Sequence, residues 1–181
     1  MDLHWSPGQL ILKPGDHPDF FQFPAPAGRS RESTVRIDAL GRFWHDGQQV
    51  EHDGMNRAFS NWINLHPDDG RFILENGYDW TYFNVDDAPF FVRTLSIRSD
   101  VNVPENSVIS ILLSDGLEED LKLSTVREGS GDALYCRVKN DKFEAKFTPV
   151  AQVALAPLLR ETPQGEVLIV HQGKEYVISP R

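Results

Sequence analysis

Cysteine is nearly missing from this chain. Cys136 is the one example among 181 residues, so no disulfide can close within it. A reducing compartment agrees with that usage. Long apolar runs are missing too. No stretch reaches the ~20 residues that a membrane-crossing helix needs, so no membrane partner is expected. The opening Met1-Asp2-Leu3-His4-Trp5-Ser6-Pro7 lacks the basic and apolar regions of a signal peptide, and a cytoplasmic location is expected. Positive charge is scarce: 18 Lys and Arg stand against 27 Asp and Glu, a formal net charge of -9. Binding a polyanion needs clustered cations, so no nucleic acid polymer is expected as a partner. A small anionic ligand is still open, because two or three local donors can hold one.

Familiar chemical motifs are missing as well. There is no P-loop, no Gly-x-Ser-x-Gly elbow and no dinucleotide fingerprint. The carboxylate runs Asp68-Asp69 and Glu118-Glu119-Asp120 lack the alternating ligands, glycine and closing glutamate of a calcium loop. His45-Asp46 and His52-Asp53 offer metal-ligating side chains, but their spacing matches no closed zinc site. A turn and a helix start explain both pairs, so no metal is expected. Cys136 sits between Tyr135 and Arg137 in a strand pattern and reads as a small buried residue, not a nucleophile. No nucleophile–base pair is visible, and an enzyme ranks behind a binding module. No cofactor is expected.

What is present is an ordinary globular balance, 40% hydrophobic and 25% charged, in a chain long enough for one sizeable domain or two small ones. Residues 1–34 form a Pro- and Gly-rich arm. Trp5, Leu10, Ile11, Leu12 and Phe20-Phe21-Gln22-Phe23 make it too apolar for a solvated tail, so it is expected to lie extended over the domain.

A first α+β half is expected over 35–98. Val35–Asp38 and Arg42–His45 read as strands around Leu40-Gly41. Asp53 is placed as the N-cap of a helix whose apolar stripe is Met55, Ala58, Phe59, Trp62 and Ile63, with Ser60 on the polar face and Pro67 as its end. Phe59 and Trp62 are expected in the core. Arg71–Leu74 and Trp80–Val85 follow as strands around Asn76-Gly77. Asp86-Asp87-Ala88-Pro89 breaks the second, and Phe90–Arg98 continues extended.

A second half is expected over 99–181. After a loop at Asp100–Asn106, strands are placed at Val108–Leu113, Leu121–Thr125, Leu134–Val138 and Phe143–Phe147. A short helix follows the cap Thr148 and Pro149, with Pro157 as its stop. Val167–Val170 and Glu175–Ile178 form the last hairpin. Arg36–Val85 and Arg137–Ile178 share one order of elements, so the fold class is α+β with a duplicated strand-strand-helix-strand-strand unit.

The run Asp86-Asp87-Ala88-Pro89-Phe90, with Arg36-Ile37-Asp38 and the turn-rich Gly41-Arg42-Phe43-Trp44-His45-Asp46-Gly47, resembles a bacterial family, domain of unknown function 1285. Phe143-Glu144-Ala145-Lys146-Phe147 resembles that family's later strand before a helix, and the likeness extends over about 34–178. It implies a duplicated core, a second half loosely like a pleckstrin-homology (PH-like) barrel, a small-ligand site between the halves for a nucleotide-like molecule, and a signalling role. It implies no catalytic residues. This chain departs from the pattern at His52 and Thr148, where basic residues are usual, and at Asn76-Gly77-Tyr78-Asp79. Those losses weaken the case for a phosphate-bearing ligand.

The expected function is therefore a non-enzymatic small-ligand-binding or regulatory module. The alternative is a protein-interaction module with a protein partner on the PH-like half or on a free strand edge. The candidate ligand-binding residues are Trp44, Trp80, Asp87, Pro89 and Phe90, with Arg93 and Lys146 as cationic donors, one from each half. Strand parity puts Arg93 on the face of Phe91, Leu95 and Ile97, where it would pair with Asp86 or Asp87, hold an anionic ligand, or snorkel at a rim; pairing or the rim is the favoured reading.

Overall fold

The computed structural model describes residues 13–100 and 103–181. Trp5, Leu10, Ile11 and Leu12 of the expected arm lie outside the described residues. The protein is a mixed α+β structure, mostly open sheet with two short helices. In chain order the elements are β1 (Glu32–Ile37), β2 (Phe43–His45), β3 (Gln48–Gln49), α1 (Asp53–Trp62), β4 (Ile63–Leu65), β5 (Phe72–Glu75) and β6 (Trp80–Val85). Then come β7 (Phe90–Asp100), β8 (Val103–Leu113), β9 (Glu118–Asp120), β10 (Arg127–Glu128), β11 (Leu134–Val138) and β12 (Phe143–Phe147). The chain closes with α2 (Pro149–Leu155), β13 (Leu159–Glu161), β14 (Val167–His171), β15 (Lys174–Val177) and β16 (Ser179–Pro180). No helix among the described residues is long and apolar enough to cross a membrane.

The first sheet has the order β3-β2-β1-β6-β5-β4, and the second β16-β10-β11-β12-β7-β8-β9. A third, β13-β14-β15, is a plain meander. The chain changes sheets at the Asp86–Pro89 corner. β7 pairs parallel to β12, so it belongs with the second half, and the boundary expected at 98/99 falls within the β7–β8 hairpin. Three strands follow α1 before the corner, β4 to β6, and four follow α2, β13 to β16, where two were expected in each half. The halves also close differently: β1 pairs with β6, whereas β11–β12 and β13–β15 lie in separate sheets.

One core runs through both large sheets, from Ile37, Phe43 and Phe83 in the first to Phe90, Ile111, Val138 and Phe147 in the second. The loops reach their tight geometry through specific residues. Gly41 turns β1 into β2 with φ +79°, and a Cβ there would sit 2.8 Å from the Phe91 ring. Glycine alone meets both demands.

Several local expectations are corrected. α1 is capped by His52, whose Nδ1 accepts from the Met55 N–H at 3.2 Å; Asp53 is the first helical residue. The helix stops at Trp62, because Ile63–Leu65 pairs with β5 well before Pro67. Met55 is exposed and Ser60 is buried, so the packed face is rotated from the one drawn. Phe59 and Trp62 are half-buried against the core. The stretch Leu121–Thr125 is not a strand: a 3-10 turn at Leu123–Thr125 follows the short β9, and β7 and β8 extend into the stretch expected as a loop. The arm follows the first sheet: Phe20 is buried against Ile73 and Trp80, and the Gly15 N–H donates to the Gly77 carbonyl at 2.9 Å.

Candidate functional site

The corner between the halves is built around Asp87. Pro89 and Ala88 are buried, which fixes the bend and aims the Asp87 carboxylate across to β11 and β12. Oδ2 accepts from the Lys146 ammonium at 2.8 Å and from the Tyr135 hydroxyl at 2.8 Å. Oδ1 accepts from the Arg181 guanidinium at 2.6 Å. Arg181 lies over the Tyr135 ring, 4.0 Å from its centroid, and also pairs with Glu144 at 2.8 Å. Lys146 further donates to the Ala39 carbonyl at 3.2 Å, in the β1–β2 turn. The network therefore links the first half to the second through the Asp87 carboxylate and through the Lys146–Ala39 bond.

Burial alone would raise the Asp87 carboxyl, but hydrogen bonds from Lys146, Arg181 and Tyr135 outweigh it and hold the group below its ordinary value. Burial would lower Lys146, but the bond to Asp87 and its negative charge, together with Tyr135, outweigh it, so the ammonium is raised. Burial and Asp87 together raise the Tyr135 phenol. At neutral pH Asp87 is thus an anion between two cations, Lys146 and Arg181, beside a neutral Tyr135 phenol.

Beside this network lies a seam cavity of about 340 Å³. Ala39 and Leu40 line it from the first half; Phe91, Ser130, Lys146 and Phe147 line it from the second sheet and its loops. The walls are mainly apolar. The Lys146 ammonium donates to Asp87 and Ala39 and lies beside the Tyr135 side chain, and the residue lines the cavity.

The candidate residues are placed as follows. Asp87 and Lys146 are bonded, and Pro89 and Phe90 share their corner, with the Phe90 ring 5.2 Å from Phe143 in the core. Trp44 stands on another face: its indole N–H donates to Asp38 at 2.9 Å and its ring lies beneath Arg36, which pairs with Asp86. Trp80 packs with Phe20 and Ile73 under the arm. Arg93 does not join the apolar face. The β7–β8 register slips between Val92 and Thr94, and this bulge turns Arg93 outward, where it is exposed and makes no ion pair among the described residues. Tyr135, Arg181 and Phe91 were not singled out from the sequence. For Phe91 a signal existed, since it follows Phe90 in the extended run and must face the opposite side. The pairing of Arg181 with Asp87 across the chain left none.

An open-faced α+β protein with two halves joined at a charged corner is thus the class this structure defines. No protein-family model matches the chain, and no curated protein matches its sequence. Its fold resembles that of DUF1285 family proteins. One from Silicibacter pomeroyi DSS-3 is 19% identical, with 81% of this chain and 80% of that one covered at a TM-score of 0.64. One from Shewanella baltica OS155 is 16% identical, with 71% and 94% covered at a TM-score of 0.54. At these identities the likeness is one of fold.

Proposed function

We propose that this protein is a non-catalytic ligand-binding or regulatory module whose small ligand sits in the seam cavity. The observation that carries the reading is the cavity itself: it opens between residues of both halves, with the cationic Lys146 in its lining. Its volume suits a small molecule or part of a larger one. An acidic or carbonyl group directed at Lys146, with an apolar body against Leu40, Phe91 and Phe147, fits the lining; a nucleotide-like ligand would bring its anionic end to the same ammonium. The charge states argue for binding over catalysis, because Asp87 is held low and Lys146 and Tyr135 are held high, leaving no cluster member tuned to exchange protons near neutrality.

A thermal-shift screen of nucleotides and small organic acids tests this. Hits should stabilise the parent and lose that effect in Lys146→Ala, while Arg93→Ala, outside the cavity lining, keeps it. Hits that bind both variants as tightly as the parent refute the seam site.

The two halves are proposed to descend from one unit, and the second to be PH-like. Support comes from the shared order of hairpin, helix and three-stranded run: β1–β2, α1, β4–β6 against β11–β12, α2, β13–β15. A second functional reading, a protein-interaction module, draws on Val150 and Val153, which stand exposed together on α2.

A further inference from the structure

We propose a second ligand site, beneath the arm, for a small aromatic oxyanion. The arm is held to the first sheet by Arg31. Its Nη2 donates to the carbonyls of Phe23 and Pro24, each at 3.0 Å, and its Nη1 to the Trp80 carbonyl at 2.6 Å and to Asp79. The guanidinium stacks over the Trp80 ring, 4.4 Å from its centroid. Between arm and sheet lies a cavity of about 310 Å³, distinct in its lining from the seam.

The polar groups of this cavity are unbalanced toward donors. Asp79 is the lone carboxylate in its lining, and it is occupied by Arg31 and by the Trp80 N–H. Arg29 lines the cavity and has no ion pair among the described residues. The Asn76 oxygen accepts from the Tyr78 and Asp79 N–H groups at 2.9 Å each, which leaves its amide N–H₂ free. Arg31 Nε and Trp80 Nε1 belong to residues of the lining and have no acceptor within the protein, but both atoms are buried behind the cavity surface. The donors open to a ligand are therefore the Arg29 guanidinium and the Asn76 amide. The floor is apolar, from Phe59, Trp62 and Leu74. Excess donors above aromatic carbon select a carboxylate or phosphate carried on a flat apolar body.

Titration calorimetry with benzoate and phenyl phosphate tests the proposal, with benzyl alcohol as the neutral control. Arg29→Ala removes the free cation. Asn76→Asp keeps the turn-capping oxygen while replacing the free donor with negative charge. Both acids should bind more tightly than benzyl alcohol, and each variant should weaken them about tenfold or more, the loss of one charge-assisted contact. Lys146→Ala should leave them unchanged, which separates this cavity from the seam. Binding of either acid in this pattern supports the site, and the tighter one names its head group. The proposal is overturned if neither acid binds, if Arg29→Ala and Asn76→Asp bind like the parent, or if Lys146→Ala alone weakens binding.

Discussion

Replacing Asp87 by Asn keeps the shape of the corner and removes its charge. In the parent, the carboxylate accepts from Lys146, Arg181 and Tyr135, and its side chain is only 15% exposed. An amide retains one acceptor oxygen and turns an N–H₂ toward two cations. Lys146 keeps Ala39 and Arg181 keeps Glu144, so neither is stranded. A charge-assisted bond is worth about 1.5–3 kcal/mol when buried and under about 1 at the surface. Two such bonds at a half-shielded corner give a loss of about 2–3 kcal/mol. For a chain of this length that lowers Tm by about 4–12 °C. Urea and thermal melts of parent, Asp87→Asn, Lys146→Met and the double variant would measure it, with a coupling of about 1 kcal/mol expected between the two sites. The pH dependence supplies a second check. Because the Asp87 pKa is lowered on folding, its stabilisation is present above the unfolded value of about 3.9 and is lost as pH falls through the folded one. The gap between parent and Asp87→Asn should therefore hold from about pH 5 to 8 and close in acid. Equal melts at neutral pH would show that the corner stands without its ion pairs.

Gly41→Ala should destabilise by about 2 kcal/mol or more, since it combines a φ of +79° with contact on the Phe91 ring; a melt within error of the parent would contradict the geometry. Phe59→Ala and Trp62→Ala should each cost about 2–3 kcal/mol in urea, below the ~3–5 of a fully buried aromatic, because both are half-buried. Cys136 is buried and its thiol is pushed up, first by burial and then by Glu119 and Glu144. A thiol reagent should label it slowly in the native protein and rapidly in urea; equal rates would place it at the surface.

The hairpins were legible because their turns carry glycine at positions such as Gly41, Gly47 and Gly116, and the flanking residues alternate. α1 was legible as a helix but not in its rotation. Ser60 looks polar in the sequence, yet tertiary packing buries it and leaves Met55 outside. Arg93 misled because strand parity assumes an unbroken pleat, and a single bulge reverses it. Of the expected site, the pairing of Asp87 with Lys146 was within reach of the residue types, one charge of each sign on opposite halves. Trp80 was expected in the wall of the seam, whereas the arm covers it in a separate cluster with Phe20. Arg181 pairs across nearly a hundred residues, and no local pattern announces such a contact.

Ligand binding at the seam is tested most directly by native mass spectrometry of the parent and of Ser130→Trp, which fills the cavity from its rim, each incubated with the hits of the thermal-shift screen. The parent should carry one small molecule per chain, and Ser130→Trp should carry none while melting as a folded protein. Equal occupancy in the two proteins would contradict a ligand site between the halves.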